Sequence, residues 1–308
     1  MFSGDQPLGY ANSDDAESIR TLHAALASGI RLFDTAAVYG AGHAERLLGQ
    51  ALRGRPDALV ATKIGIAINE ETKQLTGEQT DPASVLPAIE RSLRRLGRER
   101  IDILLLHLND LAVSQAEPIF AAMEEARAMG KIRAFGWSTD LSSSARSMAG
   151  HEGFIAVEHA MNVLLDAPVM QKTVEQAGLY ALIRSPLGMG LLTGKYNAGS
   201  VMAAQDIRST ANTVTDYFRG ARANPRFLNQ LESIRDLLAT GGRSLTQGAL
   251  GWLWAKSDRN IPIPGARTVE QIEGIAGALA FGPLPSAVMV EIEQLLDRDR
   301  DTGDERPR

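Results

Sequence analysis

Short apolar runs alternate with amphipathic segments along the chain from residue 30 onward. The runs are nearly continuous in apolar residues, as in parallel strands that are covered on both faces. The segments between them repeat their apolar residues at helical spacing, so the pattern predicts a series of strand–helix units. The predicted strands are Ile30–Asp34, Leu59–Lys63, Ile101–His107, Ile132–Ser138, Phe154–Glu158, Leu179–Arg184 and Ile261–Pro264.

Capping signals mark the starts of several predicted helices. Asp81 followed by Pro82 is a typical N-cap and first-turn pair. Ser244 with Gln247 three residues later forms a capping box, and a further helix is predicted to start near Asp14. These helices lie between predicted strands, which supports the strand–helix succession.

The succession predicts an α/β fold in one domain, a (β/α)8 TIM barrel over residues 1–308. Nothing before residue 14 is typical of a strand, so the first barrel strand is expected to be absent or unreadable, through a shortened start or a real loss. A barrel of seven strands would expose two sheet edges. The irregular stretch 197–224 is expected to be a functional loop, and the charged tail 298–308 is expected to be disordered.

Composition excludes several classes of function. The formal net charge of −5 argues against nucleic acid or an anionic membrane as a partner, since both need a basic surface. The chain contains no cysteine, so a disulfide framework, a thiolate nucleophile and a cysteine-based metal site are excluded. No secretory signal and no membrane-length apolar run is present, so we expect a cytoplasmic protein.

Polar side chains stand at the ends of most predicted strands. The carboxyl ends of barrel strands meet at one rim, where barrel enzymes place their working residues. The side chains expected there are Asp34, Lys63, His107, Ser138, Glu158 and Arg184, with Tyr39 in the loop after the first predicted strand. Buried charges need partners, and three successive strands that end on charged or titratable groups are hard to explain by packing.

A carbonyl-reducing site follows from these side chains. Lys63 and Asp34 are expected to pair, which places an ammonium near the phenol of Tyr39 and lowers its pKa. Tyr39 then becomes a general acid toward a carbonyl oxygen, and His107 could donate a hydrogen bond to the same oxygen. This set delivers a proton but no hydride, so another molecule must bring the reductant. Taken singly, the Asp34–Lys63 pair and His107 could equally be structural.

The chain resembles the aldo-keto reductase family over almost its whole length. The resemblance rests on six segments in order: FDTAAVYG, the ATK that ends at Lys63, SLRRLGRERIDILLLH, KIRAFGWST, RSPLGMGLLTGKY and IPIPGAR. It implies an α/β barrel that binds a nicotinamide cofactor, usually NADPH, and reduces a small aldehyde or ketone. The family's catalytic tetrad corresponds to Asp34, Tyr39, Lys63 and His107.

The resemblance also implies residues that bind the cofactor. Glu158 stands where a glutamine usually binds the nicotinamide carboxamide, and Arg184 replaces a stacking aromatic residue. Arg267 is suited to a bidentate contact with the 2′-phosphate, which favours NADPH over NADH. The implied set is Ser138, Thr139, Glu158, Arg184, Ser185, Leu187, Gly190, Lys195, Gly265, Arg267, Thr268 and Gln271.

Other functions remain open at this point. A metal-dependent hydrolase would use Asp34, His107 and Glu158, but the sequence has no HxH or HExxH spacing, and we expect no metal. A non-enzymatic NADPH sensor or an inactive remnant would fit the unusual N-terminus and cofactor residues. The tetrad favours the enzyme, while the substrate and the oligomeric state stay undetermined.

Overall fold

A curled parallel sheet of seven strands forms the centre of the protein. The computed structural model describes residues 2–3, 6–7, 14–204, 206–209, 217–298 and 304. Each predicted strand overlaps an observed one. The strands are β1 (Leu32–Asp34), β2 (Leu59–Ile64), β3 (Ile101–Leu106), β4 (Ile132–Ser138), β5 (Phe154–Ala160), β6 (Tyr180–Arg184) and β7 (Asn260–Pro262).

Helices follow the strands and cover the outside of the sheet. They are α1 (Asp15–Ala27), α2 (His43–Ala51), α3 (Val85–Leu96), α4 (Val113–Ala128), α5 (Ser142–Met148), α6 (Pro168–Ala177), α7 (Pro225–Leu238), α8 (Leu245–Lys256), α9 (Val269–Ala276), α10 (Ala278–Phe281) and α11 (Ser286–Leu295). The predicted N-caps are confirmed: Asp14 accepts from Glu17 N, and Ser244 and Gln247 form the capping box of α8.

The strands lie side by side in chain order, from β1 at one edge to β7 at the other, and all described neighbours are parallel. All carboxyl ends therefore meet at one rim. The larger part of the core lies between sheet and helices and includes a cluster of aromatic rings from Phe120, Phe135, Trp137 and Phe154. A smaller cluster around Leu105 and Leu182 fills the inside of the curl.

The sheet is open between its two edges within the described residues. No hydrogen-bonded pairing joins β1 to β7 there, and the inward side chains Leu32 and Ile261 beside the opening are partly exposed. Outside the opening, α1 and α9 pack together, and Val269 N donates to Glu17 Oε1 at 3.1 Å. The helical layer is thus closed where the sheet is not. The described residues thus contain seven strands of the sheet, and residues 8–13, in the segment where the first strand was expected to be absent or unreadable, lie outside them.

Short strands lie outside the central sheet. Phe2–Ser3 pairs with Gln6–Pro7 and, through Phe2, with the hairpin of Ile66–Asn69 and Gln74–Glu78. The N-terminal strands therefore join this hairpin instead of the barrel, a feature that the sequence did not predict. A further hairpin, Phe218–Arg219 with Arg222–Ala223, lies in the expected functional loop, of which residues 205 and 210–216 fall outside the described chain.

The C-terminal end is described only in part. Arg298 Nε donates to Val163 O at 2.8 Å, and an oxygen of Asp304 accepts from Ser143 N at 3.0 Å. The rest of the tail that was expected to be disordered lies outside the described residues. Within the described chain, no single helix is long and apolar enough to cross a bilayer. Only the bent pair of segments Val269–Phe281 and Ser286–Leu295 has sufficient length and apolar composition when the two are taken together.

Candidate active site

A cavity of about 1060 Å³ opens at the rim formed by the carboxyl ends of the strands. Most of the residues singled out from the sequence line it. They are Asp34, Tyr39, His107, Ser138, Glu158, Arg184, Ser185, Leu187, Gly190, Lys195, Gly265, Arg267 and Gln271. Lys63 lies beneath the floor and is 1% exposed. Thr139 is fully buried and donates to Asn109 O at 2.7 Å, and the Thr268 side chain caps α9.

Lys63 is the centre of a buried ionic cluster. Its Nζ donates to Oδ1 and Oδ2 of Asp34 at 2.7 and 2.6 Å and to the carbonyl oxygen of Thr35 at 2.9 Å. Strands β1 and β2 are hydrogen-bonded neighbours, so the two inward side chains at their ends meet. The predicted pair of Asp34 and Lys63 is confirmed.

Glu158 brings a second carboxylate to the same ammonium. Its Oε2 lies 3.1 Å from Lys63 Nζ, but no hydrogen bond to that oxygen is aligned within the described chain. The hydroxyl of Ser138, which is paired with Glu158 across β4 and β5, donates to Oε1 at 3.3 Å. Glu158 is only 2% exposed, so Lys63 sits between the buried carboxylate of Glu158 and the mostly buried carboxylate of Asp34, whose side chain is 13% exposed.

Burial and mutual charge shift the pKa values of this cluster. Burial and the charge of Glu158 raise the pKa of Asp34 to about 7, against the lowering effect of Lys63. Burial by itself would lower the pKa of Lys63, but the charges of Asp34 and Glu158 together outweigh it, and the pKa is raised. Lys63 is therefore an ammonium at every pH at which the protein would work.

Tyr39 borders the cavity above the cluster. Lys63 Nζ lies 5.3 Å from the centre of its ring, and its ring meets that of His107 edge to face with centres 6.0 Å apart. The residue is 41% exposed toward the cavity opening. Lys63 thus lies close to the phenol, as the sequence predicted.

The net pKa of Tyr39 differs from the expectation. Desolvation in the cleft is the largest influence and raises the pKa; Lys63 lowers it, and Asp34 and Glu158 raise it again, to about 12. The predicted effect of Lys63 has the right sign, but the predicted shift of the Tyr39 pKa toward neutral pH is wrong. The phenol keeps its proton at neutral pH, which is the form that a general acid requires.

His107 is neutral in this site. Burial lowers its pKa to about 3, and the positive charges of Lys63 and Arg184 contribute in the same direction. A neutral imidazole carries one N–H donor, so His107 can donate to an oxygen beside Tyr39 without adding a charge. This agrees with its expected role as a hydrogen-bond donor.

Arg184 is held at the cavity wall by a residue that the sequence analysis did not single out. Its Nη2 forms an ion pair with Oδ2 of Asp140, while Oδ1 of Asp140 accepts from Ala160 N at 2.8 Å. Asp140 is 3% exposed. Asp140 therefore holds the guanidinium of Arg184 at the cavity wall.

One end of the cavity is formed by the turn Gly188–Thr193 after β6. Gly190 has φ 95°, a conformation that favours glycine. Arg208, also not singled out from the sequence, forms an ion pair with Asp206 at 2.7 Å and donates to Met189 O at 3.3 Å, so it ties the long loop to this turn. Lys195 lines the same end, which makes it suitable for an anionic group.

The start of α9 also lines the cavity. Arg267 N donates to Oε1 of Gln271 at 2.8 Å, and Gln271 N donates to the capping hydroxyl of Thr268. The Arg267 residue itself is exposed at the cavity edge. A helix N-terminus with an arginine is a favourable place for a phosphate group. Within the described chain, no three His, Cys, Asp or Glu side chains form a metal-binding group.

Comparison with known proteins tests the resemblance directly. The profile of the Aldo/keto reductase family matches residues 3–297. The chain belongs to this family. The resemblance inferred from the sequence is confirmed.

Individual relatives of this aldo-keto reductase cover nearly all of it. The aldo-keto reductase str7 of Strobilurus tenacellus is 30% identical over 310 residues, 97% of this chain and 87% of the relative. The aldo-keto reductase yakc of Schizosaccharomyces pombe, whose name specifies NADP(+), is 28% identical over 308 residues, 96% of this chain and 87% of the relative.

Solved structures share the fold. The glycerol dehydrogenase of Gluconobacter oxydans superposes with a TM-score of 0.79 at 28% identity, covering 95% of this chain and 89% of that one. The predicted barrel class is confirmed for this aldo-keto reductase, with seven parallel strands in the part that the structure describes.

Proposed function

We propose that the protein reduces an aldehyde or ketone to the alcohol, with NADPH as the hydride donor and Tyr39 as the proton donor. The observation that carries the proposal is the arrangement at the cavity floor. A protonated phenol, a neutral imidazole from His107 and a buried ammonium from Lys63 lie within one cluster. This arrangement suits an oxygen that gains negative charge.

The cavity fits a nicotinamide cofactor. Its volume of about 1060 Å³ is at the upper end of ordinary small-molecule sites, as a dinucleotide needs. Lys195 and Arg267 both line the cavity and offer positive charges by which phosphate groups would be neutralised. Ser138, Glu158 and Arg184 lie near the tetrad, where the nicotinamide ring would be held.

The proposed reaction is balanced by a hydride from NADPH and a proton from the chain. NADPH, when bound, supplies a hydride to the carbonyl carbon. The Tyr39 hydroxyl gives its proton to the carbonyl oxygen, which becomes the alcohol, and Lys63 stabilises the phenolate that remains. His107 orients the carbonyl oxygen through its N–H. Solvent then returns a proton to Tyr39.

The names of relatives support the cofactor and the reaction class. The yakc relative is named for NADP(+), and the Gluconobacter oxydans neighbour is named as a glycerol dehydrogenase, an activity that interconverts an alcohol and a carbonyl compound. A cytoplasmic location belongs to the same proposal. Cell fractionation tests that part.

The test is NADPH oxidation by the purified chain with a reactive aromatic aldehyde. Tyr39→Phe is expected to lower kcat by at least about 100-fold, the usual contribution of a general acid, while NADPH binding changes little. Tyr180→Phe is the matched control, because Tyr180 is 48% exposed at the beginning of β6, away from the rim, and its loss should leave kcat unchanged.

Each outcome separates the alternatives. Turnover that survives in Tyr39→Phe would contradict the role of Tyr39. NADPH binding without turnover across a panel of aldehydes and ketones would favour a sensor over an enzyme. Failure to bind NADPH at all would contradict the proposed cofactor and favour an inactive remnant.

A further inference from the structure

A buried ion pair lies beside the turn that carries Tyr39 and takes no part in the proposed reaction. Glu45, in the first turn of α2, has a fully buried side chain. Its Oε2 accepts from Arg95 Nε at 2.6 Å, and its Oε1 accepts from the Thr62 hydroxyl at 2.6 Å. A buried carboxylate is costly unless it is paired. Arg95, whose side chain is 9% exposed, is the cation that pairs with Glu45.

The hydrogen bond between Glu45 and Thr62 joins the two elements that carry Tyr39 and Lys63. Thr62 directly precedes Lys63 in β2. The carbonyl oxygen of Tyr39 accepts from Ala44 N at 3.3 Å, so the backbone of Tyr39 is bonded to the residue before Glu45. The position of Tyr39 over Lys63, with 5.3 Å between ring centre and Nζ, therefore depends on how Glu45 holds the start of α2 against β2.

The backbone between Tyr39 and α2 is strained. Gly40, Ala41 and Gly42 all have positive φ, at 60°, 54° and 81°. This region suits glycine, but Ala41 occupies it with a side chain and is buried. Such conformations persist only where the surrounding structure holds them, and they cluster at functional sites. The turn therefore needs contacts from outside itself.

Two arginines supply these contacts. Arg46 Nη2 donates to the carbonyl oxygen of Ala41 at 3.3 Å. The side chain of Arg95 lies against Gly42, where an added Cβ would be 2.6 Å from Arg95 Cδ. Glu70, in the turn of the hairpin that follows β2, accepts from Arg46 Nη1 at 3.0 Å and from Arg95 Nη1 at 3.1 Å. One carboxylate thus fastens both arginines against the turn.

We propose that Arg46 and Arg95 are positioning residues that fix where the phenol of Tyr39 lies in the active site. The inference rests on the proposed function. Neither arginine is among the described residues that line the cavity, so neither would touch the cofactor or the substrate. Reacting groups that move by about 1 Å can lose about 100-fold in rate. Loss of either arginine should therefore slow the chemical step and leave NADPH binding nearly unchanged.

The experiment compares the single-turnover rate of NADPH oxidation with the dissociation constant of NADPH. A single-turnover rate reports the chemical step separately from product release. Arg46→Met should lower this rate by about tenfold or more, while the dissociation constant stays close to the native value. Because the Arg46 side chain is 47% exposed, the variant should melt nearly as the native chain does.

A paired variant tests the buried arginine. Arg95→Met alone would leave the carboxylate of Glu45 buried without its cation, which endangers folding. Glu45→Gln/Arg95→Met removes both charges, and replacement of a whole buried ion pair is usually well tolerated. Its single-turnover rate should also fall by about tenfold or more. Arg98→Met is the matched control, because Arg98 forms a similarly shielded ion pair with Asp102 at 3.3 Å, at the amino end of β3. It should keep the native rate.

Three results would overturn the inference: native rates in both Arg46→Met and the paired variant, a loss of NADPH binding as large as the loss of rate, or equal slowing by Arg98→Met. Turnover in the native chain together with unaffected variants would overturn the inference alone. Absence of turnover in the native chain would contradict the proposed function, and the inference with it.

Discussion

Replacing Lys63 by methionine tests the ionic cluster most severely. Methionine keeps an unbranched apolar stem of similar length but removes the ammonium. Asp34 then loses both of its hydrogen bonds from Nζ, Thr35 O loses one, and Glu158 loses the ammonium that lies 3.1 Å from its Oε2. Two buried carboxyls are left facing each other.

The magnitude follows from the burial of the pair. Removing one partner of a buried ion pair costs about 3–5 kcal/mol. For 308 residues, the entropy of unfolding is about 0.65 kcal/mol/K near 60 °C, so the melting temperature should fall by about 5–8 °C at pH 8.

At pH 5.5, Lys63→Met should lower the melting temperature by less than at pH 8. The pKa of Asp34 in the folded protein is already raised to about 7, well above its unfolded value of 3.8, and removal of Lys63 can only raise it further. The folded variant therefore binds protons that the unfolded chain does not. The stabilisation that comes from this proton binding is fully present at low pH and is lost as the pH rises through the pKa of Asp34 in the folded variant.

Thermal melts at pH 5.5 and pH 8, followed by circular dichroism, measure both effects. Lys256→Met is the matched control: Lys256 pairs with Asp166 at 2.7 Å and its side chain is 23% exposed, and Arg298 stays within 4.0 Å of Asp166. Its loss should be small and similar at the two pH values. If Lys63→Met lowered the melting temperature by less than about 2 °C at pH 8, or by the same amount at the two pH values, the ammonium would not stabilise the carboxylates as proposed.

Three further predictions concern the cofactor, the sheet and the imidazole. Arg267→Ala should weaken NADPH binding by about tenfold or more but leave NADH binding nearly unchanged. The control is Arg133→Ala, an exposed arginine at the amino end of β4, which should change the binding of neither cofactor. An equal effect of Arg267→Ala on both cofactors would mean that the 2′-phosphate is bound elsewhere. Gly136→Ala places a Cβ against the carbonyl oxygen of the neighbouring strand β5 and should lower the melting temperature, whereas Gly150→Ala, with no atom within 4 Å, should not; similar melts would contradict the geometry. Because burial lowers the pKa of His107 to about 3, its contribution to stability is lost as the pH falls from about 6.5 toward 3, and His107→Gln should flatten this acid loss in melts compared with the native chain.

The strands were predictable because their patterns are local. A parallel strand that is covered on both faces is a short apolar run in the sequence, and most of these runs end in a polar side chain at the rim. The Asp34–Lys63 pair was predictable for the same reason, since the two residues end adjacent strands. To predict this pair, it is enough to know that consecutive strands of the chain lie side by side in the sheet.

Contacts across the curl could not be derived in this way. Glu158 reaches Lys63 from β5, which is not a neighbour of β2, so the contact depends on how tightly the sheet curls. The net pKa of Tyr39 depends on the same distances, because burial and the charges of Asp34 and Glu158 raise it while the charges of Lys63 and Arg184 lower it. Asp140 follows β4 instead of ending it, so the strand-end rule did not select it as the partner of Arg184.

The central claim is hydride transfer from NADPH to a carbonyl carbon, and isotope transfer tests it most directly. The native chain would be given an aromatic aldehyde with NADPH deuterated at either position of C4, and the alcohol analysed by mass spectrometry. We expect deuterium on the carbinol carbon from one of the two labelled forms, and no labelled alcohol above background with Tyr39→Phe. An alcohol without deuterium from either form, or no alcohol from any carbonyl compound while NADPH is bound, would contradict it.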